Sequence, residues 1–194
     1  MSRTRVPAIA ELPAKLIRLR PFAAAEIDAA WKRLALLDET AHPRLKPEDR
    51  RAAPSGRFRR QIGRSGRLWR GCLDLAVDRR GRLVGQIQAR SSPKQALPPD
   101  VFEIGVALYR QTDRGKGYGR EAVDLLTTWL FEWGGAERVQ ASTAVGNAPM
   151  RSVLERLGFG LEGIMRGFGA MSDGTRVDGA LYAVIRSDWK ERLR

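Results

Sequence analysis

Hydrophobic positions along this chain recur with a period of two in some stretches and of three to four in others. The switches between the two mark its elements. Residues 15–20 (KLIRLR) alternate, predicting a first strand that Pro21 closes. From 23 to 37, Ile27, Ala30, Trp31, Leu34 and Leu37 fall at helical spacing, and His42-Pro43 breaks the pattern. Residues 72–77 and 83–88 read as a hairpin whose Gly81 supplies the positive φ of a tight turn. A strand over 101–108 leads to a helix over 119–133, expected to bury Ala122, Leu125, Leu126, Trp129 and Trp133 before Gly134-Gly135 stops it. Residues 138–143 read as another strand. Asn147 then caps a helix through Leu157, with Pro149 in its first turn and Gly158 at its end. Strands over 159–167 and 180–185 close the chain around Ser172-Asp173-Gly174. Residues 1–14, with Pro7 and Pro13, form an irregular lead-in, and 91–100, with Pro93, Pro98 and Pro99, a loop. This order predicts an α/β (α+β) domain spanning 1–194, with a mixed, largely antiparallel sheet flanked by helices.

Charge changes the picture. Lys+Arg number 35 against Asp+Glu 22, a net +13 over 194 residues, which favours anionic partners. Much of the excess lies in 44–70, where Arg50, Arg51, Arg57, Arg59, Arg60, Arg64, Arg67 and Arg70 accompany Phe58, Ile62 and Leu68. Such a run is either a solvated face or a surface for an acidic protein or a ribosomal partner. Cys72 is the only cysteine, which excludes an intramolecular disulfide and a cysteine metal site; its apolar neighbours suggest a small core residue. Neither a signal-peptide run nor a membrane span is present, so a cytoplasmic protein with no membrane partner and no metal is expected. The lone His42 reads as a surface or structural residue. Trp31 and Trp69 read as core residues, with an acceptor pocket as the other use.

Candidate chemistry sits in the glycine-rich turn between 108 and 119, a place where backbone amides and a helix end favour an anion. A Walker loop fails, because Lys116 is followed by Gly117 and not by Ser or Thr. A dinucleotide fingerprint is weak, because its last glycine position holds Arg120. Arg114, Gly117 and Gly119 instead fill the pattern Q/R-x-x-G-x-G/A.

That loop, the strand before it, and Asn147 at its distance from Leu157-Gly158-Phe159 and Glu162-Gly163 resemble the GNAT superfamily of N-acetyltransferases. The opening Ile17-Arg18-Leu19-Arg20-Pro21-Phe22 is similar to its RimJ/RimL-like (ribosomal-protein-alanine acetyltransferase) branch. The resemblance implies that acetyl-CoA is held by Arg114, Gly115, Lys116, Gly117, Tyr118 and Gly119. It also implies main-chain contacts from Val106 and Leu108 to the pantetheine arm, and a hydrogen bond from Asn147. Glu103 is the carboxylate best placed to deprotonate an amine acceptor, a protein N-terminus or a small molecule, because alternation sets it beside Gly105 and Ala107. The family's usual acid positions hold Met150 and Leu154, and Ser152 is expected to face elsewhere. A water or Tyr182 is then left to protonate the thiolate. A non-catalytic acyl-CoA or anionic-partner module is the rival class, and monomer and homodimer both stay open.

Overall fold

The computed structural model describes residues 6–35, 37, 55–91, 98, 100–171 and 173–192. His42, Arg50 and Arg51 of the Arg-rich segment, most of the 92–99 loop and Ser172 lie outside them. The strands are β1 (Leu12–Pro13), β2 (Arg18–Arg20), β3 (Cys72–Arg79), β4 (Arg82–Arg90), β5 (Val101–Leu108), β6 (Arg138–Ala144), β7 (Gly160–Ala170) and β8 (Arg176–Ile185). The helices are α1 (Ile27–Ala35), α2 (Gly56–Ile62), α3 (Tyr118–Glu132), α4 (Ala148–Arg156) and α5 (Arg186–Arg192). One eight-stranded sheet runs β1-β2-β3-β4-β5-β6-β8-β7. Every pairing is antiparallel except β5 with β6. The expected mixed, largely antiparallel α/β architecture is what the chain adopts.

Alternation along the central strands splits the core in two. Leu75, Val77, Val84 and Ile87 pack with Ala122, Leu126 and Leu130 of α3 and with Trp189 of α5. Ala76, Leu83 and Ala107 turn to the other face, toward Ala30 and Leu34 of α1 and Ile62 of α2. The β3–β4 turn is Arg80-Gly81, both with positive φ, as a two-residue hairpin requires.

Several expectations need correction. The first strand covers only 18–20, because the Glu121 carboxylate accepts the amides of Leu16 (2.9 Å) and Ile17 (3.1 Å). The lead-in contributes β1, paired with β2. Trp133 is 55% exposed: α3 ends at Glu132, and Trp133 at its C-cap turns away from the core. Trp69 is 50% exposed and is not a core residue. Cys72 is half-buried at the start of β3. The last two strands are longer than the apolar pattern indicates, and α5 follows them. Among the described residues, no helix is long and apolar enough to cross a membrane.

Candidate active site

The site begins where β5 and β6 part. Their parallel pairing is confined to Val101–Glu103 against Arg138–Gln140, whereas β5 keeps its ladder with β4 through Leu108. One bond sets the direction of the backbone groups: the Tyr109 N–H donates to the Val84 carbonyl at 3.0 Å. Alternation then turns Ala107 and Gly105 toward β4, and Leu108, Val106 and Ile104 toward the gap. A cavity of about 1240 Å³ occupies this gap and reaches both faces of the sheet. On the α3 side it is lined by residues 114–120, Leu16, Asn147 and Met150. On the α1 side it meets Trp31, Phe58, Gln61, Asp74, Gln88 and Glu103.

Gly117, at φ +84°, is the N-cap of α3, and Gly115 has φ +73°. These left-handed residues let the chain reverse just before the helix. The first intrahelical bond runs from the Glu121 N–H to the Gly117 carbonyl at 3.0 Å. The amides of Tyr118, Gly119 and Arg120 therefore have no acceptor within the helix, and no side chain caps it. A diphosphate needs such donors, together with the positive helix end and the nearby Arg114 and Lys116. The residues present fit an acyl-CoA. The Tyr118 ring is buried against Arg79, which donates to its hydroxyl, so Tyr118 offers the cavity its amide.

Two braces hold this loop. Glu121 ties α3 to the segment before β2, as above. Arg82 donates to both Asp113 oxygens, at 2.9 and 2.7 Å, immediately before Arg114. That guanidinium holds the buried Asp113 carboxyl below the usual carboxylate range. A lowered folded pKa stabilises the fold above the unfolded value of about 3.9, and the contribution is lost as pH falls through the folded value. Asp113→Asn is therefore expected to be less stable than the wild type at pH 7, with the gap closing below about pH 4. Urea midpoints across pH check this, and acetyl-CoA affinity should weaken several-fold as the loop loosens.

On the α1 face, Glu103 accepts a hydrogen bond from the Ser142 hydroxyl at 2.8 Å. Its strand neighbours Gly105 and Ala107 keep side-chain bulk away, as alternation predicted. Arg90 lies opposite Glu103 in the ladder and donates to Asp74 at 2.6 Å; Gln61 of α2 also donates to Asp74, at 3.0 Å. Trp31 and Phe58 meet edge-to-face, centroids 4.8 Å apart, and wall this chamber.

A model of the acetyltransferase (GNAT) domain matches residues 17–160, most of the chain. The chain belongs to the GNAT acetyltransferase family. An N-acetyltransferase 9-like protein of Caenorhabditis briggsae is 35% identical over 81 residues, a match covering 40% of this chain and 41% of that protein. In fold the chain is similar to Mycobacterium smegmatis RimJ in complex with CoA-disulfide (24% identity, 94% and 92% of the two chains, TM-score 0.72). It is likewise similar to RimL, a ribosomal α-N-protein acetyltransferase in complex with coenzyme A (18% identity, 90% and 97% covered, TM-score 0.71).

Within this GNAT chain, Asn147 caps α4: its Oδ1 accepts from the Met150 N–H at 3.4 Å, and its Nδ2 donates to Thr143 at 3.0 Å. Met150 and Ser152 both line the cavity. Ser152 was expected to face elsewhere, but the cavity is wide enough to be flanked by more than one row of α4. Leu154 is fully buried in the core. Tyr182 is not brought to the cavity. It is fully buried, and its hydroxyl accepts from Arg151 at 3.0 Å and donates to Glu155 at 2.6 Å. Asp74, Arg90, Gln61, Ser142 and the Arg82–Asp113 brace escaped sequence reasoning.

Proposed function

We propose that this protein moves an acetyl group from acetyl-CoA directly to the α-amine of a protein N-terminus while both substrates are bound. The observation that carries this is the single cavity, which has the uncapped amides of α3 at one end and Glu103 at the other. A net charge of +13 disfavours a polyamine acceptor and favours a protein with acidic surroundings.

The amides of 118–120, with Arg114 and Lys116, hold the diphosphate. Val106 and Leu108 offer backbone groups to the pantetheine, and Asn147 has its second amide hydrogen for the same arm. An α-amine has a pKa of about 8 and is largely protonated at neutral pH. Glu103, oriented by Ser142, takes that proton directly or through a water, and the neutral amine attacks the thioester carbonyl. The Val106 N–H donates to the carbonyl oxygen as negative charge builds on it. The C–N bond forms and the C–S bond breaks; the attacking nitrogen gives up its second proton through water, and that water protonates the departing thiolate. Tyr182→Phe should therefore lower thermal stability while leaving the shape of the pH–rate profile unchanged; a profile altered on its alkaline side would make Tyr182 the acid.

Leu154 and Met150 at the usual acid positions support the second reading, a non-catalytic acyl-CoA module. Thiol release from acetyl-CoA across a panel of peptides and small amines, with mass spectrometry of the products, decides between them. Acetyl-CoA binding without turnover of any amine would establish the module.

A further inference from the structure

A row of side chains leads from Glu103 across the sheet to a cluster that the proposed acetyl transfer does not use. Arg90 is paired with Glu103 between β4 and β5, and Cys72 with Arg90 between β3 and β4. Trp69 is bridged in turn to Cys72, each N–H donating to the other's carbonyl at 2.9 Å. Cross-strand partners project from the same face, so these four residues form one row on the acceptor side. Its ends are three strand spacings of about 4.8 Å apart, roughly 14 Å.

The far end is rigidly built. Arg70 (φ +49°) and Gly71 (φ +74°) make the two-residue turn between Trp69 and Cys72. Ser91 donates its N–H to the Gly71 carbonyl at 2.6 Å, and a Cβ on Gly71 would lie 1.4 Å from the Ser91 carbonyl oxygen. The guanidinium groups of Arg64 and Arg70 lie over the half-exposed Trp69 ring, 5.2 and 5.7 Å from its centroid. Stacking of this kind fixes the guanidinium planes and presents their donor edges to a carboxylate.

We infer that the Arg64–Trp69–Arg70 cluster docks an acidic side chain of the acceptor's N-terminal segment, at a fixed distance from its amine. This rests on the proposed transfer to a protein N-terminus, and it names the partner as an extended peptide that is acidic near its fifth residue. An extended chain advances about 3.3 Å per residue, so four steps cover the roughly 14 Å between Glu103 and Trp69. The net charge of +13 attracts anions at long range but selects no position along them. The row does.

Fluorescence anisotropy of labelled peptides on the CoA-loaded full chain tests this. Three peptides carry two glutamates at the fifth and sixth residues, the same two at the eleventh and twelfth, or glutamines instead. The first is expected to bind about tenfold more tightly than the second, the size of one good charge-assisted contact. Arg64→Glu and Arg70→Gly should each erase that preference. Arg70→Gly relieves the left-handed strain, so its loss of preference cannot be ascribed to unfolding. Equal affinity for the first two peptides, or a preference unchanged in both variants, overturns the docking site. If the preference persists but no peptide is ever acetylated, the dock stands and the transfer reading falls.

Discussion

Gly117→Asp is expected to raise the dissociation constant of acetyl-CoA by at least about 100-fold while leaving secondary structure intact. Gly117 stands at φ +84° as the N-cap of α3, and the cavity meets the first amides of that helix. An aspartate there accepts hydrogen bonds from the same amides, as N-cap side chains do, and so occupies the donors a diphosphate needs. It also adds a negative charge where two more must bind. Any such cap offsets part of the left-handed strain that a side chain meets at φ +84°, so binding falls far more than stability in this variant. Gly117→Ala is the control. Alanine shares with aspartate the left-handed strain of about 1–2 kcal/mol and a Cβ 3.1 Å from Leu16 Cδ1, but it brings no charge. Titration calorimetry should show a much smaller loss for alanine than for aspartate. Retained acetyl-CoA binding in the aspartate variant would sink the loop assignment.

The loop could be read in the sequence because its glycines answer local backbone needs: positive φ at 115 and 117, and a bare helix start at 119. The face carried by Glu103 was legible for the same reason, since alternation along β5 is a local property. Asn147 followed from its distance to the end of α4. What stayed hidden depends on partners far along the chain. Nothing near Val101 says that β6 leaves β5 after Glu103, yet that separation makes the cavity. Asp113 and Arg82 are 31 residues apart, Glu121 and Leu16 105, and each pair shapes the loop. Tyr182 looked available as an acid because its sequence neighbours say nothing of Arg151 and Glu155. Trp133 matched the helical stripe, but the helix ends one residue before it.

Glu103→Gln is expected to lower kcat/KM for an N-terminal amine by about 100- to 1,000-fold at pH 7. Glutamine keeps the shape and can still accept the Ser142 hydroxyl, which meets Glu103 at 2.8 Å in the wild type. The fold and the affinity for acetyl-CoA should therefore hold. The deficit should narrow above about pH 8, where the amine becomes neutral without help. Ser142→Ala leaves the carboxylate but removes its orienting bond, so a loss of only several-fold is expected. Asp74, which unlike Glu103 is buried, is the other carboxylate of the chamber, and it separates a base from a mere negative charge. Arg90 holds it at 2.6 Å and Gln61 at 3.0 Å, so Asp74→Asn should cost stability with little change in the shape of the pH–rate profile. A profile unaltered in Glu103→Gln would remove Glu103 as the base. A profile altered instead in Asp74→Asn would move that role two strands across the sheet, from β5 to β3, into the network behind Arg90.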